Sequence, residues 1–129
     1  MNVIEKIFLN KSEYKILIYG DLIIDIYNNV ISKKISSECL IPIFEKIDDE
    51  KSSLGGAGNV LNNLLIFNNN THLLSIVEEK YINTRISSEN LINIIDTNYK
   101  NIIKTRYFSF NQQCVRIDTS NNYKMSKTT

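Results

Sequence analysis

The chain has one histidine, one proline, no tryptophan and two cysteines. His72 has no Cys, His or carboxylate cluster around it in the sequence, and Cys39 and Cys114 form no CxxC pair. Neither a Ser/His/Asp or Cys/His nucleophile system nor a thiolate metal site can be argued from such spacing, so no metal and no catalytic residue is expected. Thiols so far apart read as reduced cysteines of a cytoplasmic protein. Charge of one sign is lacking as well: 15 Lys and Arg face 14 Asp and Glu, for a net charge of +1. Without a basic block, neither nucleic acid nor an acidic membrane surface is an expected partner. No segment approaches the roughly 20 apolar residues of a bilayer span. Glu5 and Lys6 interrupt the apolar residues of Met1–Asn10, unlike a secretory leader.

What is present suits one modest α/β domain: 129 residues, 43% of them hydrophobic, enough for a core. The wealth of Ile, Asn and Lys reads as compositional bias, so a single Asn or Lys carries little weight. Asn68-Asn69-Asn70 and Asn121-Asn122 read as loops. Val3, Ile4, Ile7 and Phe8 recur at helical spacing, which predicts a short helix over 2–9 packing on a sheet. Lys15–Tyr19 is an apolar, β-branched run ended by Gly20 and reads as a buried parallel strand. Residues 26–36 and 41–47 read as strands of a small, half-exposed sheet, with Pro42 confining its segment to an edge or a strand start. The charged stretch 48–53 reads as a turn. Ala57, Val60, Leu61, Leu64 and Leu65 then follow i, i+3, i+4, i+7, i+8 spacing, which predicts a helix over 57–67. Leu73–Val77 reads as the next parallel strand, completing the parts of an α/β crossover. A helix is expected over 88–95 behind a Ser87 or Ser88 cap, and 102–110 with 114–118 read as an antiparallel pair. The tail from Thr119 reads as frayed.

Two places carry chemistry. Gly20-Asp21 closes the first strand and Asp25 follows four residues later. Beyond the carboxyl end of a parallel strand, such acids are placed to accept hydrogen bonds from ligand hydroxyls. Gly55-Gly56-Ala57-Gly58 opens the convincing helix. Glycines there let backbone N–H groups approach an oxygen-rich ligand at the helix's positive end, and Asn59 can donate and accept beside them. The same glycines would equally serve a tight turn with close helix–sheet packing. Lys104, Arg106 and Arg116 alternate with apolar residues. An arginine there can clamp a phosphate bidentately, although charges on an exposed strand are more often simply solvated. A dinucleotide site is a further alternative, with Gly56-x-Gly58 at the helix start and Glu78 at ribose-binding distance. It suffers from Leu61 at the third glycine position and a charged segment where a buried strand should precede. Gly56-Ala57-Gly58-Asn59 is not a catalytic loop, because its last position needs a carboxylate to take a proton.

Taken together, Ile16–Asp25, Gly55-Gly56-Ala57-Gly58-Asn59-Val60, Lys104-Thr105-Arg106 and Asn111-Gln112-Gln113-Cys114-Val115-Arg116-Ile117-Asp118 resemble the ribokinase-like carbohydrate kinases. Within them they resemble the kinase domain of the bacterial heptose-7-phosphate kinase/adenylyltransferase group. Ser36-Ser37-Glu38-Cys39-Leu40-Ile41-Pro42 echoes a further motif of that group, without its first proline. The likeness runs from about Lys15 to Asp118. It implies a partial three-layer α/β sandwich with a small β-sheet lid, truncated before the nucleotide-binding half. The core would span about 1–25 and 48–100, and the lid strands 26–47 and 101–118, with a polar tail over 119–129. It also implies that Asp25 binds sugar hydroxyls, Gly55 and Gly56 allow close backbone approach, Asn59 adds a hydroxyl contact, and Arg106 and Arg116 sit near a substrate phosphate. The group typically carries alanine where Gly58 stands; a helical glycine costs up to ~1 kcal/mol.

Such kinases use Mg-ATP, with a catalytic aspartate and an anion hole expected past residue 129. The expectation is therefore the substrate-binding part of a sugar-phosphate kinase that binds no nucleotide and transfers no phosphate alone. A second chain could complete it, or the chain could form a homo-oligomer. The alternative is a non-catalytic relic or interaction protein, and an uncovered strand edge would favour oligomerisation.

Overall fold

The structure, a computed structural model, describes Glu5, residues 14–94 and 96–120, and Tyr123. It is a mixed α/β chain with two sheets, mostly strands, and it divides into two compact units. In chain order the elements are β1 (Ile16–Tyr19), β2 (Leu22–Ile35), β3 (Pro42–Lys46), β4 (Lys51–Gly56), α1 (Ala57–Leu65), β5 (Thr71–Ser75), β6 (Leu91–Asn93), β7 (Ile102–Ser109) and β8 (Gln112–Thr119). No helix among the described residues is long and apolar enough to cross a membrane.

The first unit comprises Met1–Ile23, Leu54–Asn101 and Asn121–Thr129. Its sheet runs β1-β5-β6, parallel throughout, with Ile18 beside Leu73 and Leu73 beside Leu91. Two successive parallel partners need a crossover, and α1 supplies the one between β1 and β5. The apolar stripe read from the sequence is met in part: Ala57, Leu64 and Leu65 are half-buried, whereas Val60 is exposed. Leu61 is buried, and the helix packs on β5 and β1. The helix stops at Leu65, where the N–H groups of Phe67 and Asn68 both turn back to the Leu64 carbonyl. Side chains alternate across a strand, so β5 buries Thr71, Leu73 and Ser75. Leu22, Leu54, Val77, Ile86 and Tyr99 complete this unit's core.

Several expectations are corrected. The helix expected over 88–95 is not formed by its described residues, 88–94: Ser88–Asn90 is one 3₁₀ turn and Leu91–Asn93 is a strand on β5. Ser87 does cap that turn, accepting from the Glu89 N–H at 3.2 Å. Backbone pairing with β5 outweighs a helical pattern only two turns long, which is too short to persist by itself. The 48–53 turn yields at Lys51 to β4, which runs straight into α1. β1 is not buried on both faces, because Leu17 and Tyr19 are 59% and 77% exposed. The helix expected over 2–9 lies outside the described residues apart from Glu5, which is helical. Most of the expected tail lies outside them too, although Thr119 still belongs to β8 and the Tyr123 hydroxyl reaches the Asp96 carboxylate.

The second unit comprises Ile24–Ser53 and Ile102–Ser120. Its strands lie in the order β3-β2-β7-β8, and β4 also pairs with β2. Pro42 opens edge strand β3, where a missing N–H is harmless. β7 and β8 are antiparallel, and their two-residue turn has left-handed φ at Phe110 (49°) and Asn111 (63°). That is the backbone of a type I′ hairpin, whose twist matches its strands. Ile24, Asn28 and Val30 are buried on one face of β2. The intervening Asp25 and Tyr27 point to the other face.

Candidate functional site

That other face brings together three residues expected to touch ligand. Asp25 on β2 accepts a hydrogen bond from the Arg106 guanidinium on β7 at 2.5 Å, across 81 positions of sequence. The pair is part-buried, with side chains 14% and 20% exposed. Arg106 also lies over the Tyr27 ring, 5.5 Å from its centroid, and Tyr27 stacks on Phe108 at 6.2 Å. The guanidinium is thus gripped by a carboxylate and an aromatic face. Arg116 on β8 stands directly opposite Arg106 in the hairpin register. Like charges so placed repel, and each is met by its own acid. Arg116 donates bidentately to Asp118, at 2.8 Å from Nε to Oδ1 and 2.7 Å from the terminal nitrogen to Oδ2.

The electrostatics extend along this face. The Arg116 hydrogen bond holds the Asp118 carboxyl below its ordinary range, helped by the charges of Lys104 and Arg106. In return Asp118, and more weakly Asp25, push Arg116 up. Three cations and two carboxylates thus lie on three neighbouring strands of one sheet.

The glycine stretch lies in the first unit, and the packing of that unit explains much of it. Gly56 has φ +58°, and a Cβ there would meet the Asp21 carbonyl oxygen at 2.6 Å and Ile23 at 3.2 Å. The Ala57 N–H donates to that same carbonyl at 3.0 Å, pinning the helix start to the end of the first strand. A Cβ on Gly58 would fall 2.5 Å from Leu22 Cδ1 and 2.9 Å from Leu54 Cβ. Gly58, read from the sequence as a tolerated departure, is required by the contact of helix and strand. Gly55 is buried at the end of β4, and Asn59 is exposed in the first turn of α1.

Asparagines discounted as compositional bias form a second cluster in the first unit that sequence reasoning missed. Asn101, 2% exposed, accepts from the Glu78 N–H and donates to the Leu22 carbonyl, both at 2.9 Å. Asn93 closes a similar ring on Val77, accepting from its N–H at 2.8 Å and donating to its carbonyl at 3.2 Å. Asn68, 5% exposed, donates to the Tyr14 carbonyl at 2.7 Å. Each satisfies backbone groups at the end of a short strand, where burial would otherwise strand them.

Glu78, the ribose binder of the dinucleotide alternative, is already occupied. It accepts from the Asn101 N–H at 2.9 Å and meets Lys80 and Lys100 at 3.2 and 3.4 Å. Burial raises its carboxyl, but the Asn101 N–H and the lysines outweigh that and hold it below the ordinary value. These groups border a cleft of about 490 Å³ lined also by Val77, Asn93 and Tyr99. Cys39 and Cys114 are exposed and free. Among the described residues no group of three or more His, Cys, Asp or Glu is placed to hold a metal ion.

No family model matches the chain. It is nevertheless similar to curated proteins named bifunctional protein HldE. The HldE of Helicobacter pylori (strain P12) is 35% identical over 111 residues, covering 81% of this chain and 24% of that protein. The HldE of Helicobacter acinonychis (strain Sheeba) is 37% identical over 111 residues, with the same coverage. That of Campylobacter concisus (strain 13826) is 34% identical over 113 residues, covering 81% of this chain and 23% of the relative. The group recognised from the motifs is thereby borne out, over four-fifths of the chain. The chain spans about a quarter of the length of these relatives.

Proposed function

We propose that the chain is the substrate-binding part of a sugar-phosphate kinase of the heptose 7-phosphate type. On this reading it builds the first part of a ribokinase-like three-layer fold, with the second unit as its small lid sheet. The observation that carries the reading is the ion pair of Asp25 and Arg106. The carboxylate of the first motif and the arginine of Lys104-Thr105-Arg106 meet at 2.5 Å although 81 positions separate them. Asp25 would accept hydrogen bonds from sugar hydroxyls, and Arg106 and Arg116 would hold the phosphate. Gly55, Gly56 and Asn59 are the contacts the resemblance assigns in the other unit.

No described residue is assigned a catalytic role. Mg-ATP would enter with the remainder of the kinase, outside the described residues. Phosphate transfer by the purified chain alone is therefore not expected. The test is titration of the chain with a heptose 7-phosphate and with the unphosphorylated heptose, followed by amide NMR. Saturable shifts at Asp25, Arg106 and Arg116 are expected with the phosphate ester and are weakened at least tenfold by Arg106→Gln. No saturation with either sugar refutes the reading.

A second reading, an interaction protein that retains the fold's start, is favoured by one observation. Leu17, Tyr19 and Ile92 are 59%, 77% and 49% exposed. Register puts Leu17 beside His72, Tyr19 beside Leu74 and Leu74 beside Ile92 on one sheet face.

A further inference from the structure

Asp25 and Arg106 neutralise each other in the structure, although the proposed function assigns them to different parts of a ligand. Their side chains are only 14% and 20% exposed, so separating them leaves two part-buried charges that need new partners. Arg106 has little freedom to swing outward to meet an anion. Tyr27 backs its guanidinium at 5.5 Å, and Phe108 backs Tyr27 at 6.2 Å. Arg116, opposite in register, is likewise engaged by both oxygens of Asp118. A bare anion arriving at this face must displace Asp25 and then sit beside its uncompensated charge. A neutral sugar that draws Asp25 away leaves Arg106 without an acid. Only a ligand carrying both an anionic group and hydroxyl donors satisfies the two residues at once.

Resting on the sugar-phosphate reading, we infer that Asp25 is a specificity-determining residue. By occupying Arg106 in the free chain, it makes the site reject inorganic phosphate and select a phosphate ester of a polyol. The two halves of the ligand are thereby thermodynamically coupled, each lowering the cost of seating the other. Removing the charge of Asp25 must then have opposite effects on two ligands, which a merely structural role would not produce.

The experiment uses the 129-residue chain, with calorimetry or amide NMR against inorganic phosphate and a heptose 7-phosphate. Asp25→Asn is expected to raise affinity for inorganic phosphate about tenfold, the worth of one unit charge removed at contact range in a partly solvated site. The same variant lowers affinity for the sugar phosphate, and adding Arg106→Gln abolishes the gain for inorganic phosphate. In the unmutated chain, saturating neutral heptose raises phosphate affinity. Inorganic phosphate affinity that is unchanged or reduced in a folded Asp25→Asn chain overturns the inference. So does the absence of coupling between heptose and phosphate in the unmutated chain, a result that needs no variant to fold. If the sugar phosphate still binds while either of these fails, the inference falls and the proposed function stands. If neither chain binds sugar phosphate, the proposed function falls.

Discussion

Replacing Gly58 with alanine sets two known effects against each other, and the geometry decides which wins. A glycine inside a helix costs up to ~1 kcal/mol relative to alanine, so on an open surface the exchange would stabilise α1 by that amount. Here the new methyl would lie 2.5 Å from Leu22 Cδ1 and 2.9 Å from Leu54 Cβ. Leu22 is fully buried and Leu54 is 8% exposed, so the first atom has little space to retreat into and the second is fixed to its backbone. Overpacking of this kind costs roughly 1–3 kcal/mol. With two leucines crowded at once the cost falls in the upper part of that range, roughly 2–3 kcal/mol, so the balance is a net loss of roughly 1–2 kcal/mol, or a fall in Tm of about 4–8 °C at this chain length. Thermal melts followed by far-UV circular dichroism measure it, and Leu22→Val made in the same chain should couple non-additively with it. A Tm equal to or above that of the unmutated protein refutes the packing argument. Gly56→Ala should cost more, because its Cβ meets a backbone oxygen at 2.6 Å and its φ is +58°.

Asn101→Ala leaves the Glu78 N–H and the Leu22 carbonyl without the partners seen at 2.9 Å. Urea unfolding should show a loss of about 2–6 kcal/mol, since each of the two stranded groups costs about 1–3 kcal/mol; a loss below about 0.5 kcal/mol contradicts the clamp. Glu78 titrates below its ordinary value of 4.5 in the fold. Its contribution is therefore complete above that value and is lost as the pH falls through the lower folded one. Glu78→Gln should flatten that part of the acid limb of stability against pH, and an unchanged slope below pH 4.5 counts against it.

Asparagine shows where reading by composition misleads. A chain rich in one residue gives no local reason to single out Asn68, Asn93 or Asn101 from the rest. Their importance comes from facing backbone groups at strand ends that burial leaves unsatisfied, and those groups are far away in sequence. The 88–95 segment fails for a related reason. Its apolar residues fit a helical period, yet β5 offers Leu91–Asn93 a ladder of backbone bonds that a two-turn helix cannot match. Gly58 was legible as an oddity, but its cause lies in Leu22 and Leu54, which only meet the helix after folding.

Period and punctuation by themselves determined α1, the parallel relation of β1 to β5 and the β7–β8 hairpin, because amphipathic spacing and strand alternation act over neighbouring residues. For Arg106 and Arg116 local chemistry favoured simple solvation on a strand face, and it was the resemblance of their motifs that singled them out together with Asp25. Tertiary structure alone decided that Asp25 and Arg106 neutralise each other, that Tyr27 holds the guanidinium in place, and that Arg116 faces Arg106. Such pairings depend on which strands become neighbours and in what register, a choice made by the whole sheet at once.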